Sequence, residues 1–145
     1  MEFLRSFNIS GSGLTAQKMR MDVIAQNIAN AEVTKTEDGT PYRRKMVVLS
    51  SIKQNYSFKD ALNKASNLNG GGVQVNSIVE DQSALLPVYN PNHPDANEDG
   101  YVMLPNVNTG QEMIDMLSAS RAYEANVTAF NATKAMALKA LEIGR

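Results

Sequence analysis

The sequence has 145 residues, a mass of 15.8 kDa, 14 basic and 15 acidic residues, and a net charge of -1. This length fits a single domain, the charge balance argues against nucleic-acid binding, and no apolar run approaches the roughly 20 residues of a membrane span. The lack of cysteine and the single histidine, His93, exclude disulfides, thiolate and two-histidine metal sites and cysteine nucleophiles, so neither an enzyme nor a cofactor is expected.

The distribution of proline predicts the architecture. All five prolines lie between positions 41 and 105, and proline is excluded from helix interiors. We therefore expect an α+β chain with an N-terminal helical segment at 1–36, a small β-rich middle region at 37–107 and a long C-terminal helix at 108–145. The two helices are expected to pack as an antiparallel, coiled-coil-like pair.

The N-terminal helix is indicated by mostly apolar residues at a spacing of three to four. This stripe consists of Leu14, Gln17, Met21, Ile24, Ile28 and Ala31. The segment GSG at 11–13 is predicted to interrupt or precede the helix, with Ser12 as the N-cap.

The middle region is predicted to contain strands separated by turns. We expect a turn at 37–41, strands at 42–49, from Val73 to Val79 and at 84–89, a turn or flexible loop at 69–72 and a loop at 90–100. The polar segment 53–69 is ambiguous and fits a mobile loop. The basic cluster Arg43, Arg44 and Lys45 alternates between strand faces, so it predicts a solvated or partner-facing edge rather than one patch.

Two features of the 90–100 loop suggest a calcium site and a functional histidine, but the neighbouring sequence supports neither. Residues 95–100, from Asp95 to Gly100, match the first half of an EF-hand calcium loop, but the twelfth position, which requires glutamate, is Asn106. An acidic turn is the better interpretation. His93 lies in a proline-pinned loop, where a structural hydrogen bond or simple exposure is expected.

The C-terminal helix gives the strongest local pattern, with two ladders of residues at a spacing of three to four. The bulky ladder is Met113, Met116, Ser120, Tyr123, Val127, Phe130, Lys134, Ala137 and Leu141. The second ladder has mostly small side chains and consists of Ser118, Ala122, Ala125, Ala129, Ala132 and Met136. Asn108, Thr109 and Gly110 supply a start and Gly144 a stop.

Two apolar ladders on one helix are hard to bury within a chain of this size. Either a two-helix hairpin packs on a small sheet, or other chains cover the remaining apolar surface. Polar residues inside the helices could set the register of helix contacts or could be solvated. These residues are Gln17, Asn27, Asn30, Asn126 and Asn131.

Several motifs resemble those of bacterial flagellar axial proteins, the subunits of rod, hook and hook-associated structures, and most of all those of the proximal rod proteins. In the first half these are SGLTAQ at 12–17, RMDVIAQNIANA at 20–31 and GTPYRR at 39–44. In the second half they are HPDA at 93–96, GYV at 100–102, PNV at 105–107, SRAYEANV at 120–127, FNA at 130–132 and KAL at 139–141. The resemblance covers about 10–50 and 88–143.

This resemblance implies a structural subunit that assembles helically with other rod proteins and copies of itself, transmits torque and lines the export channel. The implied location is the basal-body rod across the periplasm, reached through the flagellar type III export apparatus without a cleaved signal peptide. Basal-body ring and rod-adapter proteins are further implied partners. The alternatives are another axial subunit or a small calcium-binding module that uses 95–100.

We expect the apolar stripes of the two helices to form the assembly interface. The expected interface residues are Leu14, Met21, Ile24, Ile28, Met113, Met116, Tyr123, Val127, Phe130 and Leu141.

Overall fold

A computed structural model describes residues 2–52 and 71–143 of the chain. Two long helices enclose four strands in sequence, which confirms the α+β arrangement. The elements are α1 (Glu2–Ala29), β1 (Lys45–Ile52), β2 (Gly71–Glu80), β3 (Leu86–Tyr89), β4 (Tyr101–Leu104) and α2 (Thr109–Ile143). None of the described helices is long and apolar enough to cross a membrane.

The start of α2 agrees with the capping residues in the sequence. The Asn108 side-chain oxygen accepts a hydrogen bond from the Gln111 backbone N–H at 3.2 Å, and its carbonyl accepts one from Glu112 at 2.9 Å. This satisfies donors that the first turn of a helix leaves unpaired. Gly144, the predicted stop, lies outside the described residues.

The prediction that GSG at 11–13 breaks or precedes the first helix is wrong, because α1 continues through it. Ser12 is not an N-cap: its hydroxyl donates to the Ile9 carbonyl at 2.7 Å and accepts from the Val73 backbone N–H at 3.1 Å. The side chain therefore ties α1 to β2. Tertiary contacts override the low helix propensity of two glycines here.

The two helices pack side by side in antiparallel directions, as expected. Phe7, near the start of α1, lies edge-on against Phe130, with 4.8 Å between the ring centroids. At the other end of the pair, Asn27 donates to Glu112 at the start of α2. Among the described helices and strands, α1 also packs against β1 and β2, whereas α2 packs against α1 alone. Much of α2 therefore remains uncovered.

Gly13 and Gly11 offer a matched test of how closely the helices approach. A Cβ at position 13 would lie 3.0 Å from Oδ1 of Asn126, whereas a Cβ at position 11 would meet nothing within 4 Å. The Asn126 amide is held by a bond to the Ala122 carbonyl. We expect Gly11→Ala to raise the free energy of unfolding by about 0.5–1 kcal/mol through helix propensity and Gly13→Ala to lower it. Urea unfolding followed by circular dichroism measures both, and equal gains would contradict the close approach.

The first hairpin pairs β1 with β2 and lies along α1. Its antiparallel register runs from Lys45 opposite Glu80 to Ile52 opposite Gly71, with irregularities after Val48 and Ser51. At its far end, Gly72 has φ 65°, and a Cβ there would lie 2.5 Å from the Ser12 hydroxyl. The hairpin thus runs from the junction of the helices back toward Ser12.

The observed strands differ from the predicted ones mainly at their ends. The strand predicted at 42–49 begins later, because the Tyr42 backbone N–H bonds to the Val33 carbonyl instead of a strand. Gly71 and Gly72 belong to β2 rather than to a turn. Positions 69–70 and the predicted mobile loop at 53–69 lie outside the described residues.

The strand β4 was not predicted, although its neighbours were. It pairs antiparallel with β3, placing Tyr89 opposite Tyr101 and Leu86 opposite Leu104. The loop between them is held by the Asn97 side chain, whose oxygen accepts from the Tyr101 N–H at 2.8 Å.

The predicted turn at 37–41 is confirmed by hydrogen bonds between Thr36 and Thr40 and from Gly39 to Thr36.

Candidate assembly site

A polar junction fixes the helix pair where α1 ends and α2 begins. Asn27 is 1% exposed and makes four hydrogen bonds with its side chain. Its amide nitrogen donates to the Lys45 carbonyl at 2.8 Å and to Oε2 of Glu112 at 3.0 Å. Its oxygen accepts from the Tyr42 hydroxyl and the Lys45 backbone N–H, each at 2.9 Å. Both donors and both lone pairs of the amide are satisfied, as a buried polar group requires.

Glu112 joins the same junction from α2 and is also 1% exposed. Arg44 donates from Nε to Oε1 of Glu112 at 2.6 Å, a charge-assisted bond that compensates for burial of the carboxylate. The Arg44 guanidinium also lies 3.5 Å from Asp115, which pairs in turn with Arg20 of α1 at 3.7 Å. A shift of the helices that removed Arg44 from the buried Glu112 carboxylate would be costly, so the pair favours the observed register.

The surroundings shift the pKa of two titratable groups at the junction. The pKa of Tyr42 is raised because burial disfavours the phenolate and because the Glu112 carboxylate lies nearby. The pKa of Asp81 is lowered, first by its hydrogen bond from the Ser83 backbone N–H at 2.9 Å. Neutral Tyr42 therefore keeps its donor for Asn27 at pH 7, because both its ordinary pKa and its raised pKa lie well above that pH.

The interface residues predicted from the sequence fall into three groups by burial. Ile24 is buried, at 6% exposure, within the molecule. Seven are half-buried: Leu14, Met21, Ile28, Met116, Tyr123, Val127 and Phe130. Met113 and Leu141 are 56% and 73% exposed.

The buried face of α2 is rotated from the predicted bulky ladder. It includes Glu112, Ala119 and Thr133, none of which belongs to either ladder. Helical periodicity correctly indicates a long helix, but two polar residues and an alanine on its buried face carry no hydrophobic signal. Four residues of the second ladder are also exposed: Ser118, Ala125, Ala129 and Ala132.

Large apolar side chains of α2 also remain exposed. They are Met113, Ile114 and Leu117 near its start and Met136, Leu138 and Leu141 near its end. Each is more than half exposed. Ile114, Leu117 and Leu138 belong to neither ladder of the sequence, so their exposure follows from the direction in which α1 and α2 meet.

Comparison with known proteins gives matches to both helices and to the whole chain. A family model described as flagella basal body rod protein matches 7–35, and one described as the C-terminal part of flagellar basal body rod FlgEFG protein matches 98–143. The flagellar basal-body rod protein FlgC of Bacillus subtilis is 49% identical over 152 residues, covering 100% of both chains. FlgC of Borreliella burgdorferi is 46% identical over 149 residues, covering 99% of this chain and 98% of its own.

This chain belongs to the FlgC family of flagellar basal-body rod proteins. FlgC of Escherichia coli O157:H7 agrees, with 42% identity over 145 residues and 100% of both chains covered. The resemblance of the sequence motifs to flagellar rod proteins is thereby confirmed, and with it the interpretation as a structural rod subunit.

In this FlgC-family chain the basic cluster is not the solvated edge that the sequence suggested. Arg44 points into the junction, and the Arg43 guanidinium donates to the carbonyls of Asp81 and Ser83 at 3.3 and 3.2 Å. Lys45 lies over the Tyr42 ring, 5.7 Å from its centroid. The three side chains do point in different directions, as predicted. The partners of both arginines, however, lie more than 30 positions away in the sequence. No local pattern could have indicated them.

The polar helix residues have different roles in the FlgC fold. Asn27 links the two helices, whereas the amides of Asn30, which directly follows α1, and Asn126, within α2, donate to the carbonyls of Gln26 and Ala122 one turn back. Asn131 is exposed. The Gln17 side-chain oxygen is buried and has no hydrogen-bond partner within the described part of the chain.

The acidic loop of this FlgC chain is used for structural contacts. Asp95 accepts a hydrogen bond from the Thr34 hydroxyl at 2.8 Å, which ties the loop to the segment after α1. His93 accepts from the Asp95 backbone N–H at 3.1 Å through Nδ1, so it makes a structural bond. In residues 2–52 and 71–143, no three acidic or histidine side chains are grouped to hold a metal ion.

Proposed function

We propose that this chain builds the proximal rod by packing the outward side of its helix pair against other rod subunits and copies of itself. In that position it transmits torque along the rod and helps to line the export channel. The proposal includes transit through the flagellar type III export apparatus, a final position in the periplasm and no catalytic activity.

The single observation that carries this proposal is the exposure of six large apolar side chains on α2. Ile114 and Leu117 are 61% and 60% exposed, and Leu141 is 73% exposed. Fully burying one such side chain contributes about 1.5–3 kcal/mol, so the uncovered set is a large reserve of association energy. Exposed apolar surface in this amount usually marks an interaction site.

A rigid junction suits a subunit that carries mechanical load. The bonds from Asn27 and Arg44 to Glu112 link α1, α2 and the start of β1 through buried groups. Loss of the Arg44 partner while Glu112 stays buried would leave its carboxylate uncompensated, at a cost of about 3–5 kcal/mol. We infer that the helix pair moves as one body when neighbouring subunits apply force.

The interface residues expected from the sequence divide into two groups according to their exposure. We assign Met113 and Leu141 to contacts between subunits, together with the exposed Ile114, Leu117, Met136 and Leu138. The half-buried Phe130 and the buried Ile24 hold the subunit together first, because Phe130 packs on Phe7 and Ile24 is covered.

A deletion and fractionation experiment tests the function. We expect cells without this chain to be non-motile and to regain motility when it is supplied on a plasmid. Basal bodies purified from the complemented cells should contain the chain. Motile deletion cells, or a chain confined to the cytoplasmic fraction of motile cells, would contradict the proposal.

A further inference from the structure

The hairpin of β3 and β4 leaves one complete face open to solvent. In its antiparallel register Pro87 lies opposite Met103, and Tyr89 lies opposite Tyr101. Because alternate residues of a strand point to the same side, these four side chains share one face, which we call the tyrosine face. All four are exposed, Tyr89 at 64%, Met103 at 45% and Tyr101 at 44%. On the other face of β4, Val102 is only 3% exposed, so that face is turned toward the body of the molecule.

The backbone beneath the tyrosine face holds its two rings in place. Tyr89 and Tyr101 meet edge to face, with 5.3 Å between the ring centroids and an angle of 67° between the planes. Gly100 has φ 80°, and a Cβ there would lie 2.9 Å from Cε2 of Tyr89. Glycine therefore supplies both the left-handed backbone and the space under the ring. Rings that are already oriented lose little conformational freedom when a partner binds.

A cleft adjoins the tyrosine face and has a volume of about 330 Å³. Tyr101 and Met103 line it from β4, Lys35 and Pro41 line it from the segment after α1, and 94–97 line it from the loop between β3 and β4. The motifs GTPYRR and HPDA of the sequence both contribute to its walls. The cleft has room for one large apolar side chain beside the two tyrosines.

The surroundings of the face and the cleft are acidic. Between positions 71 and 120 the chain contains seven acidic residues and no lysine or arginine. Asp95, Glu98 and Asp99 are exposed in the loop between β3 and β4. Glu37 and Asp38 are exposed in the turn at 37–41, which borders the cleft from the other side. The residues that line the cleft include a single lysine, so the surface favours a cationic partner.

We propose that the tyrosine face and its cleft bind a cationic, apolar segment of another protein. An arginine of that segment stacks on the tyrosine rings, and a neighbouring apolar side chain enters the cleft. The negative face of an aromatic ring attracts a guanidinium, and the planar guanidinium stacks on it better than an ammonium does. The surrounding carboxylates complement the positive charge and disfavour acidic partners.

The structure favours this partner over an added strand or a second copy of the chain. Pro87 lies within the four-residue β3 and has no N–H, so an added strand could not pair fully along this edge. In a second copy, Arg20 and Arg44 are paired with carboxylates and Arg43 donates to backbone carbonyls. Among the described helices and strands, β3 and β4 pack only on each other. The inference therefore goes beyond the proposed function, because it assigns a partner to a surface outside the helix pair.

Site-specific photo-cross-linking in living cells tests the proposal. The probe is p-benzoyl-phenylalanine placed in the full chain at position 103, on the tyrosine face. The matched control places it at position 88, which is 44% exposed on the opposite face of the same hairpin. We expect position 103 to give a covalent adduct with another protein, and mass spectrometry to locate the adduct in a segment with arginine among apolar residues. Position 88 should not label that segment.

Substitutions in the chain labelled at position 103 test the chemistry of the contact. Tyr89→Phe should preserve the yield of the adduct because it keeps the aromatic ring, whereas Tyr89→Leu should lower the yield about two- to fivefold. Glu98→Lys combined with Asp99→Lys should lower it by more than about tenfold, because two attractive charges become repulsive. All three positions are exposed, and far-ultraviolet circular dichroism checks that each variant folds.

Several results would overturn the proposal. They are an adduct in a segment without basic residues, an adduct with the same chain or a second copy of it, and equal labelling of one segment from positions 88 and 103. The absence of any adduct in cells that contain the labelled chain would also overturn it. So would a yield that is the same in the Glu98 and Asp99 variant as in its parent.

Discussion

Replacing Asn27 by aspartate should lower the free energy of unfolding by about 3–5 kcal/mol at pH 7. The substitution keeps the shape of the side chain but removes both amide donors. It also places a carboxylate oxygen at the position 3.0 Å from Oε2 of Glu112, at a site that is 1% exposed. Two buried carboxylates in contact repel, so one of them must take up a proton or the junction must open. Urea unfolding followed by far-ultraviolet circular dichroism measures the loss.

Asn30→Asp is the matched control, because Asn30 directly follows the same helix and its amide donates to the Gln26 carbonyl one turn back. We expect it to cost about 1 kcal/mol at most, the contribution of one ordinary hydrogen bond. Adding Glu112→Gln to Asn27→Asp should restore part of the loss, because an amide then faces the new carboxylate. Equal losses for the two Asp variants would contradict the role of the junction.

The pH dependence of the Asn27→Asp loss gives a second check. The new carboxyl has its pKa raised in the folded chain by burial and by Glu112, relative to about 3.9 in the unfolded chain. A raised carboxyl pKa disfavours folding above the unfolded value and is relieved as the pH falls. The difference from the parent protein should therefore shrink as the pH is lowered from 7 toward 4.

Charging exposed apolar positions near both ends of α2 should abolish motility without unfolding the subunit. In the variant with Leu117→Asp and Leu138→Asp, each carboxylate would be desolvated without a partner when a neighbour packs on it. In the free chain the same positions are 60% and 53% exposed, so the free energy of unfolding should change by no more than about 1 kcal/mol in total. Swimming in soft agar and recovery of the variant in basal bodies measure the effect.

Two controls separate assembly from folding. Thr128→Asp adds a charge at an exposed position between these two residues and should preserve swimming. Phe130→Asp should lose both stability and motility, because its ring packs on Phe7 at 4.8 Å. Normal swimming of the Leu117 and Leu138 variant would contradict the assignment of these positions to the rod interface.

The helices were predictable from the sequence because their information is local. The three-to-four spacing of apolar residues and the Asn108 cap place α2 at Thr109–Ile143, close to the predicted extent. The segment GSG at 11–13 misled the prediction because glycine lowers helix propensity, while the contact of Ser12 with the Val73 N–H lies 61 positions away. A helix supported on two sides tolerates residues that would break it in isolation.

The site was less predictable, since its parts are distant in sequence. Arg44 and Glu112 are 68 positions apart, and each alone looks like an ordinary exposed charge. Nothing in the pattern around Asn27 distinguishes it from Asn30, which bonds only one turn back, to the Gln26 carbonyl. The short β4 has too few residues to show an alternation, and its pairing with β3 depends on the loop held by Asn97.

The sequence by itself determined the order of the elements, the pairing of two long helices around a β-rich middle, and the flagellar rod family. Periodicity, caps and proline placement depend on residues that are close together in the sequence, and motifs are recognised from the residues themselves. Only the tertiary structure decided that Arg44 points inward, that Asn27 and Glu112 fix the register and which face of α2 stays uncovered. The direction and register in which α1 meets α2 determine those three features, and they depend on contacts between residues far apart in the chain.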